Sequence, residues 1–335
     1  LNNLALLYDS QGRYSDAEPL LIQALALSKR LLGEEHPHVA MSLNNLAGLY
    51  KSQGRYSDAE PLLIQALALS KRLLGEEHPH VAMSLNNLAG LYKSQGRYSD
   101  AEPLLIQALA LSKRLLGEEH PHVAMSLNNL ALLYKSQGRY SEAEPLLIQA
   151  LALSKRLLGE EHPHVAMSLN NLAGLYKSQG RYSDAEPLLI QALALSKRLL
   201  GEEHPSVAMS LNNLAGLYDS QGRYSEAEPL LIQALALSKR LLGEEHPSVA
   251  MSLNNLALLY NSQGHYSEAE PLLIQALALY ERVLGVNHPN TVTVRENLAN
   301  LRAEISASHE NVTNSSTEEK TSNSWLGRLM GFLWG

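Results

Sequence analysis

The chain has 335 residues, no cysteine and a formal net charge of −7 at neutral pH. Without cysteine there is neither a disulfide framework nor a thiolate metal site, which excludes zinc-finger readings, and a cytoplasmic setting is expected. A surplus of acid with no basic stripe argues against nucleic acid as a partner.

A repeat dominates the chain from its first residue. The string Leu-Asn-Asn-Leu-Ala begins at Leu1, Leu43, Leu85, Leu127, Leu169, Leu211 and Leu253, in steps of 42 residues. Seven nearly identical units therefore replace the division into globular domains that length alone would suggest. Leu1 falls in the middle of the unit's first helix, without an initiator Met or a leader, so the chain reads as part of a longer protein.

In the unit from His36 to Leu74, His36-Pro37 marks a helix start, because proline lacks an N–H that goes unpaired in a first turn anyway. Helix A then runs to about Ser52, where Gln53-Gly54-Arg55 supplies a helix-ending glycine. Ser57-Asp58-Ala59-Glu60 has the Ser-x-x-Glu form of a capping box and predicts the start of helix B, with Pro61 in its first turn. Gly75 ends that helix after Leu74.

At about 100° per residue, Leu43, Leu46, Ala47, Leu49 and Tyr50 share one side of helix A, which predicts the core. Ala47, Ala59 and Ala66 are small where helices must approach, while Leu62, Leu63, Leu69 and Leu73 supply bulk. Burying one such leucine is worth roughly 1.5–3 kcal/mol. A single helix pair cannot cover this surface, so the units must stack into an all-α solenoid of antiparallel helix pairs.

Leu43, Leu46, Ala47, Tyr50, Gly54, Tyr56, Ala59 and Ala66 stand in the order and spacing of the tetratricopeptide signature. The 42-residue unit, with Gln-Gly-Arg-Tyr, Ala-Glu-Pro-Leu and His-Pro at fixed places, resembles the kinesin light chain type of tetratricopeptide repeat. The resemblance implies a right-handed superhelical solenoid whose A helices line the concave face. Ala47 departs from the glycine that many units of the family carry there. No segment matches the light chain's heavy-chain-binding coiled coil, so motor binding is not implied.

Opposite the core, helix A carries Met41, Asn44, Asn45, Gly48, Lys51 and Ser52. In the resembled family, asparagines on this face hold the backbone of an extended peptide, a task suited to an amide that both donates and accepts. The candidate groove residues are Asn44, Asn45, Gly48 and Lys51, followed one unit on by Asn86, Asn87, Gly90 and Lys93. Next come Asn128, Asn129, Leu132 and Lys135, then Asn170, Asn171, Gly174 and Lys177, and finally Asn212, Asn213, Asn254 and Asn255. A competing reading has the paired asparagines bonding only to neighbouring helices.

Successive units place Asp9, Lys51, Lys93, Lys135, Lys177, Asp219 and Asn261 at one position, so the groove centre is cationic and an acidic peptide is the expected partner. Lysine there also suits a helix C-terminus. Glycine within a helix costs roughly 1 kcal/mol relative to alanine, so Gly48, Gly90, Gly174 and Gly216 suggest room for a ligand backbone, although duplication of the units explains them equally well.

The pairs His36/His38, His78/His80, His120/His122 and His162/His164 stand beside glutamates but lose their second histidine to Ser206, Ser248 and Asn290. Helix capping explains the first, and no metal or other cofactor is expected. No Ser-His-Asp arrangement or phosphate loop occurs, and residues copied along an open groove do not enclose one reacting centre, so no enzyme is expected.

After His288-Pro289 the pattern decays into a charged A-type helix, Val294 to Ile305, that caps the array. The array is thus placed at 1–305, a disordered polar linker at 306–324 and an apolar tail at 325–335. The tail, Trp325 to Gly335, is too short to span a bilayer, which takes about twenty helical residues. Interfacial membrane contact through Trp325 to Trp334 is one minor reading of it. Docking in a groove is another, because Glu318, Glu319 and Trp325 resemble the tryptophan-acidic cargo peptides of the family, and a sticky terminus that binds neither is the third.

The leading expectation is a protein-interaction scaffold that holds an extended peptide or partner segment in its concave groove. The alternative is the regulatory or sensor arm of a larger enzyme or signalling protein whose effector domain lies upstream of Leu1. The oligomeric state is not readable from these residues.

Overall fold

The computed structural model describes residues 1–307, and every regular element among them is a helix. The first unit comprises α1 (Asn2–Ser10) and α2 (Tyr14–Leu32), and the second α3 (Pro37–Ser52) and α4 (Tyr56–Leu74). The pairing recurs in α5 (Pro79–Ser94) and α6 (Tyr98–Leu116), α7 (Pro121–Ser136) and α8 (Tyr140–Leu158), and α9 (Pro163–Ser178) and α10 (Tyr182–Leu200). Then follow α11 (Pro205–Ser220) and α12 (Tyr224–Leu242), and α13 (Pro247–Ser262) and α14 (Tyr266–Val283). A last helix begins at 289 and continues through 307, so the polar stretch expected from 306 opens in helix. The remainder of that stretch and the tail at 325–335 lie outside the described residues.

Local chemistry sets these boundaries. His36 is the N-cap of α3, its Nδ1 accepting from the His38 N–H at 3.2 Å, and Pro37 fills the first helical position. The same bond closes the start of each later A helix, including α11, where Ser206 replaces the second histidine. Gly54 and Gly75 end α3 and α4 at φ of 70° and 83°, values that a side chain would strain.

Helix B starts differently from the expectation. Arg55, not Ser57, is the N-cap of α4, and no side chain caps the helix. Ser57 is therefore already inside the first turn and exposed, and Glu60 turns away toward the next unit. Pro61 consequently falls in the second turn, beyond the place where its missing N–H costs nothing.

Each A helix packs against its own B helix, against the B helix before it and against the neighbouring A helices. Ala47, Ala59 and Ala66 are each 0% exposed, which lets the backbones approach. Leu105 of α6 joins Leu130 and Leu133 of α7 and Leu147 of α8 in one cluster, so the core runs across unit boundaries. Leu62 and Leu73 are only partly buried.

A polar clasp sets the register between units. Arg97 Nη1 donates to Glu60 of the preceding unit at 2.9 Å, its Nε donates to Asp100 at 2.8 Å, and its guanidinium lies 4.1 Å from the centre of the Tyr92 ring. The hydrogen bond from Arg97 holds the Glu60 carboxyl below the usual carboxylate range. The clasp recurs at Arg55, Arg139, Arg181 and Arg223. His265 takes the arginine's place in the seventh unit, and there Tyr260 donates directly to Glu228 at 2.9 Å.

The superhelix meets itself after one turn. His246 Nε2–H donates to the Ser10 carbonyl at 3.3 Å, across 236 residues, while its Nδ1 accepts from the Ser248 N–H at 3.0 Å. One unit on, His288 bonds to the backbone of Ser52 in the same register. Tyr280 replaces the serine of the six earlier units, and burial, with a smaller contribution from Tyr14 of the first unit, pushes its hydroxyl up to about 12.

Leu133→Ala should cost about 2–5 kcal/mol through the cavity it leaves. Arg139→Ala should cost clearly less than Leu133→Ala, because its ion pairs are partly exposed and screened by solvent. Urea unfolding of both variants checks the order, and equal losses would contradict it.

Burial holds the His246 and His288 imidazoles below the usual value of 6.5, so their contribution to stability is full above that value. It is lost as pH falls through their lowered folded values, because protonation removes Nδ1 as an acceptor. Small-angle scattering between pH 8 and about pH 5 should show the radius of gyration grow as the turns separate.

Candidate functional site

The groove-side residues of successive A helices gather into two adjoining hollows. The first, of about 630 Å³, takes Asn44, Gly48 and Lys51 from α3, Asn86, Asn87, Gly90 and Lys93 from α5, and Asn129 and Leu132 from α7. The second, of about 590 Å³, takes Lys135, Asn170, Asn171, Gly174, Lys177, Asn212, Asn213 and Asn255. Asn45, Asn128 and Asn254 line neither hollow.

The two asparagines of each pair have different work. Asn86 is only 8% exposed, and its Nδ2 donates to the Ala82 carbonyl at 2.9 Å and to Ser126 Oγ of the next unit at 3.4 Å. Asn129 of that unit in turn donates to Asn86 Oδ1 at 3.2 Å. The same step joins Asn87 to Asn44, Asn171 to Asn128, Asn213 to Asn170 and Asn255 to Asn212. The first asparagine is thus committed to the scaffold, whereas Asn87 and Asn213 remain exposed to the groove.

The ladder ends on Asn297, which donates to Asn254 at 2.9 Å and was not among the candidates. The 42-residue step from Asn255 leads to it. The serine half of the joint, Ser84 and Ser126, carried no such signal, because a serine on the core side of a helix has many uses.

The groove glycines make room within the chain. A Cβ on Gly90 would lie 3.2 Å from Lys51 Nζ, and Cβ atoms on Gly174 and Gly216 would lie 3.0 Å from Lys135 and Lys177 Nζ. The space anticipated for a ligand backbone at these three glycines therefore receives the preceding unit's ammonium. Gly48 follows Asp9, and nothing lies within 4 Å of its Cβ position.

Burial holds all four lysines below the usual lysine range. Lys51 and Lys135 lower Lys93 further, Lys177 lowers Lys135, and Asp219 offsets part of the shift at Lys177. At the groove ends the need is reversed. Burial raises the Asp9 and Asp219 carboxyls, and Oδ1 of Asn2, Asp9, Asp219 and Asn261 are buried without a partner among the described residues.

Each His-x-His pair holds its rings 5.0–5.2 Å apart, with one ring spent on the cap. Among the described residues no three or more His, Asp or Glu side chains are gathered to hold a metal ion, and no helix is long and apolar enough to cross a membrane.

The family model for the tetratricopeptide repeat matches six overlapping stretches, residues 1–72, 39–114, 81–156, 123–197, 164–239 and 221–282. Among solved structures, the nearly identical TPR-like repeats of a candidate kinesin light chain from Podosopora anserina are 36% identical, with a TM-score of 0.51 over 61% of this chain and 97% of that one. BtubC (BKLC) from P. vanneervenii is 27% identical, with a TM-score of 0.55 over 69% of this chain and 91% of that one. A Rap protein complexed with Competence and Sporulation Factor is 16% identical, with a TM-score of 0.50 over 91% of this chain and 97% of that one, a likeness of fold alone. No curated protein sequence matches.

Asn86→Ala should destabilise the array by about 1–3 kcal/mol, because it strands the partners of a buried amide. Lys93→Ala should leave the melting temperature unchanged or raise it, since it removes a half-buried cation between two others. Thermal melts of the two variants should separate; a larger loss for Lys93→Ala would refute this division of labour.

Proposed function

Because the chain belongs to the tetratricopeptide repeat family, whose members mediate protein–protein interactions, we propose that its A-helix groove binds an extended acidic segment of a partner protein. One observation carries the reading. Lys51, Lys93 and Lys135 line one wall and are partly desolvated, and neighbouring lysines press on Lys93 and Lys135. A carboxylate in the groove would offset the desolvation of these lysines and the repulsion at Lys93 and Lys135.

The geometry supports roles for individual residues. The ammonium groups of Lys51, Lys93, Lys135 and Lys177 pair with acidic side chains, and the exposed amides of Asn87 and Asn213 hold the peptide backbone. Asn44 and Asn170 accept from those two amides and hold them in register. The partnerless oxygens of Asp9, Asp219 and Asn261 favour hydrogen-bond donors, so the segment that fits best is acidic at its centre and rich in donors or basic residues toward its ends. The scaffold has no catalytic part in this reading; it presents one repeated surface along which a partner is laid out.

Fluorescence anisotropy with a labelled glutamate-rich peptide tests the proposal. Affinity should fall at least about tenfold as added salt shortens the screening length from about 10 Å to about 3 Å. It should fall similarly in the Lys51→Ala, Lys93→Ala, Lys135→Ala, Lys177→Ala variant, with no loss of melting temperature. Binding indifferent to both salt and the four lysines would end the proposal.

A further inference from the structure

Where the superhelix overlaps itself, an A–B turn seats a His-Pro corner. Gly12 lies against His246 and Pro247, and Gly54 against His288. A Cβ at these glycines would come within 2.7 Å of Pro247 Cδ and 2.6 Å of His288 Cδ2, so neither turn has room for a side chain once the corner is seated. Beside the joint, a cleft of about 640 Å³ is lined by Arg13 and Glu18 of one rung and by Leu241, Glu245, Arg282 and Val283 of the other. The joint therefore combines a backbone hydrogen bond, a close apolar fit and charges of both signs on each side.

Within the described residues this joint forms at the first two units only. The equivalent turn glycines Gly96, Gly138, Gly180, Gly222 and Gly264 have nothing within 4 Å of their Cβ positions. On the other rim, the corners at His36, His78, His120, His162 and His204 meet no turn glycine among the described residues. Five turns and five corners are thus unpaired by any rung of these residues, and they carry nearly the same Ser-Gln-Gly and His-Pro strings as the joined pairs.

We propose that these two rims are the halves of one self-complementary surface, through which a second copy of this chain stacks coaxially on the first, head to tail. The occupant is identified by the chain itself, because both halves are its own and two examples of the joint are already closed. Each joint is small, but turns and corners recur at the same 42-residue step. A register that closes one joint closes several, and linked weak contacts add as multivalent ones do. The contact is heterologous and uses opposite rims, so stacking need not stop at two copies.

Sedimentation equilibrium of the full chain tests this. The weight-average mass should rise with concentration from the monomer value of 36.8 kDa toward about twice that and beyond. A corner variant, Pro79→Glu with Pro121→Glu and Pro163→Glu, should stay at 36.8 kDa, because glutamate suits a helix's first turn yet blocks the fit. A turn variant, Ser136→Arg with Ser178→Arg, attacks the opposite rim and should also stay monomeric. Mixed in equal amounts, the two variants each keep the other's missing half and should form a dimer that grows no further. The proposal is overturned if the unmodified chain remains monomeric up to about millimolar concentration, the weak limit of specific association. It is equally overturned if either variant self-associates as the unmodified chain does.

Discussion

Every helix pair in this chain exposes leucines on both flanks, and only another pair can cover them. Leu105 of one unit meets Leu130, Leu133 and Leu147 of the next in one cluster, so no unit owns its core. Stability is then a sum of weak intrinsic terms and strong interfacial ones, the condition under which an array gains cooperativity as it lengthens. The alanines at zero exposure are the geometric counterpart, because bulk at Ala47 or Ala59 would hold the helices apart and open the leucine contacts.

Apolar burial alone does not set register, since near-identical leucines tolerate a slip. The arginine clasp and the asparagine ladder do. Each ties one unit to the next through bonds with fixed geometry, Arg97 to Glu60 on one side and Asn129 to Asn86 on the other. Both sets of partners are consumed in the process, which explains why the first asparagine of each pair has little left to offer a ligand. The ladder also aligns the second asparagines and the lysines along one wall, so the same bonds that order the solenoid space the residues facing the groove.

That wall holds its charge against a physical cost. Lys51 reaches over Gly90, and Lys135 and Lys177 over Gly174 and Gly216, which brings each ammonium into a half-buried position beside the next unit. Glycine in the middle of a helix weakens the helix by roughly 1 kcal/mol, and here it accommodates the preceding unit's cation. The acidic partner proposed for this surface would offset the desolvation and repulsion, whereas the clasp arginines are already paired.

The repeat period, the helix boundaries at His-Pro and glycine, the leucine and alanine core and the composition of the groove face were all legible in the residues. Each depends on interactions within a few positions, and the 42-residue copying repeats the signal along the chain. Ser57 and Glu60 misled, because a capping string is recognised by spacing, while the choice between capping a helix and clasping the next unit depends on where Arg97 lies. The groove glycines misled for a similar reason, since their neighbour is a lysine 39 residues earlier whose reach is set by the angle between units. The meeting of His246 with Ser10 lay furthest from view. It depends on a small rotation per unit accumulated over more than five units, and only the assembled superhelix carries that sum.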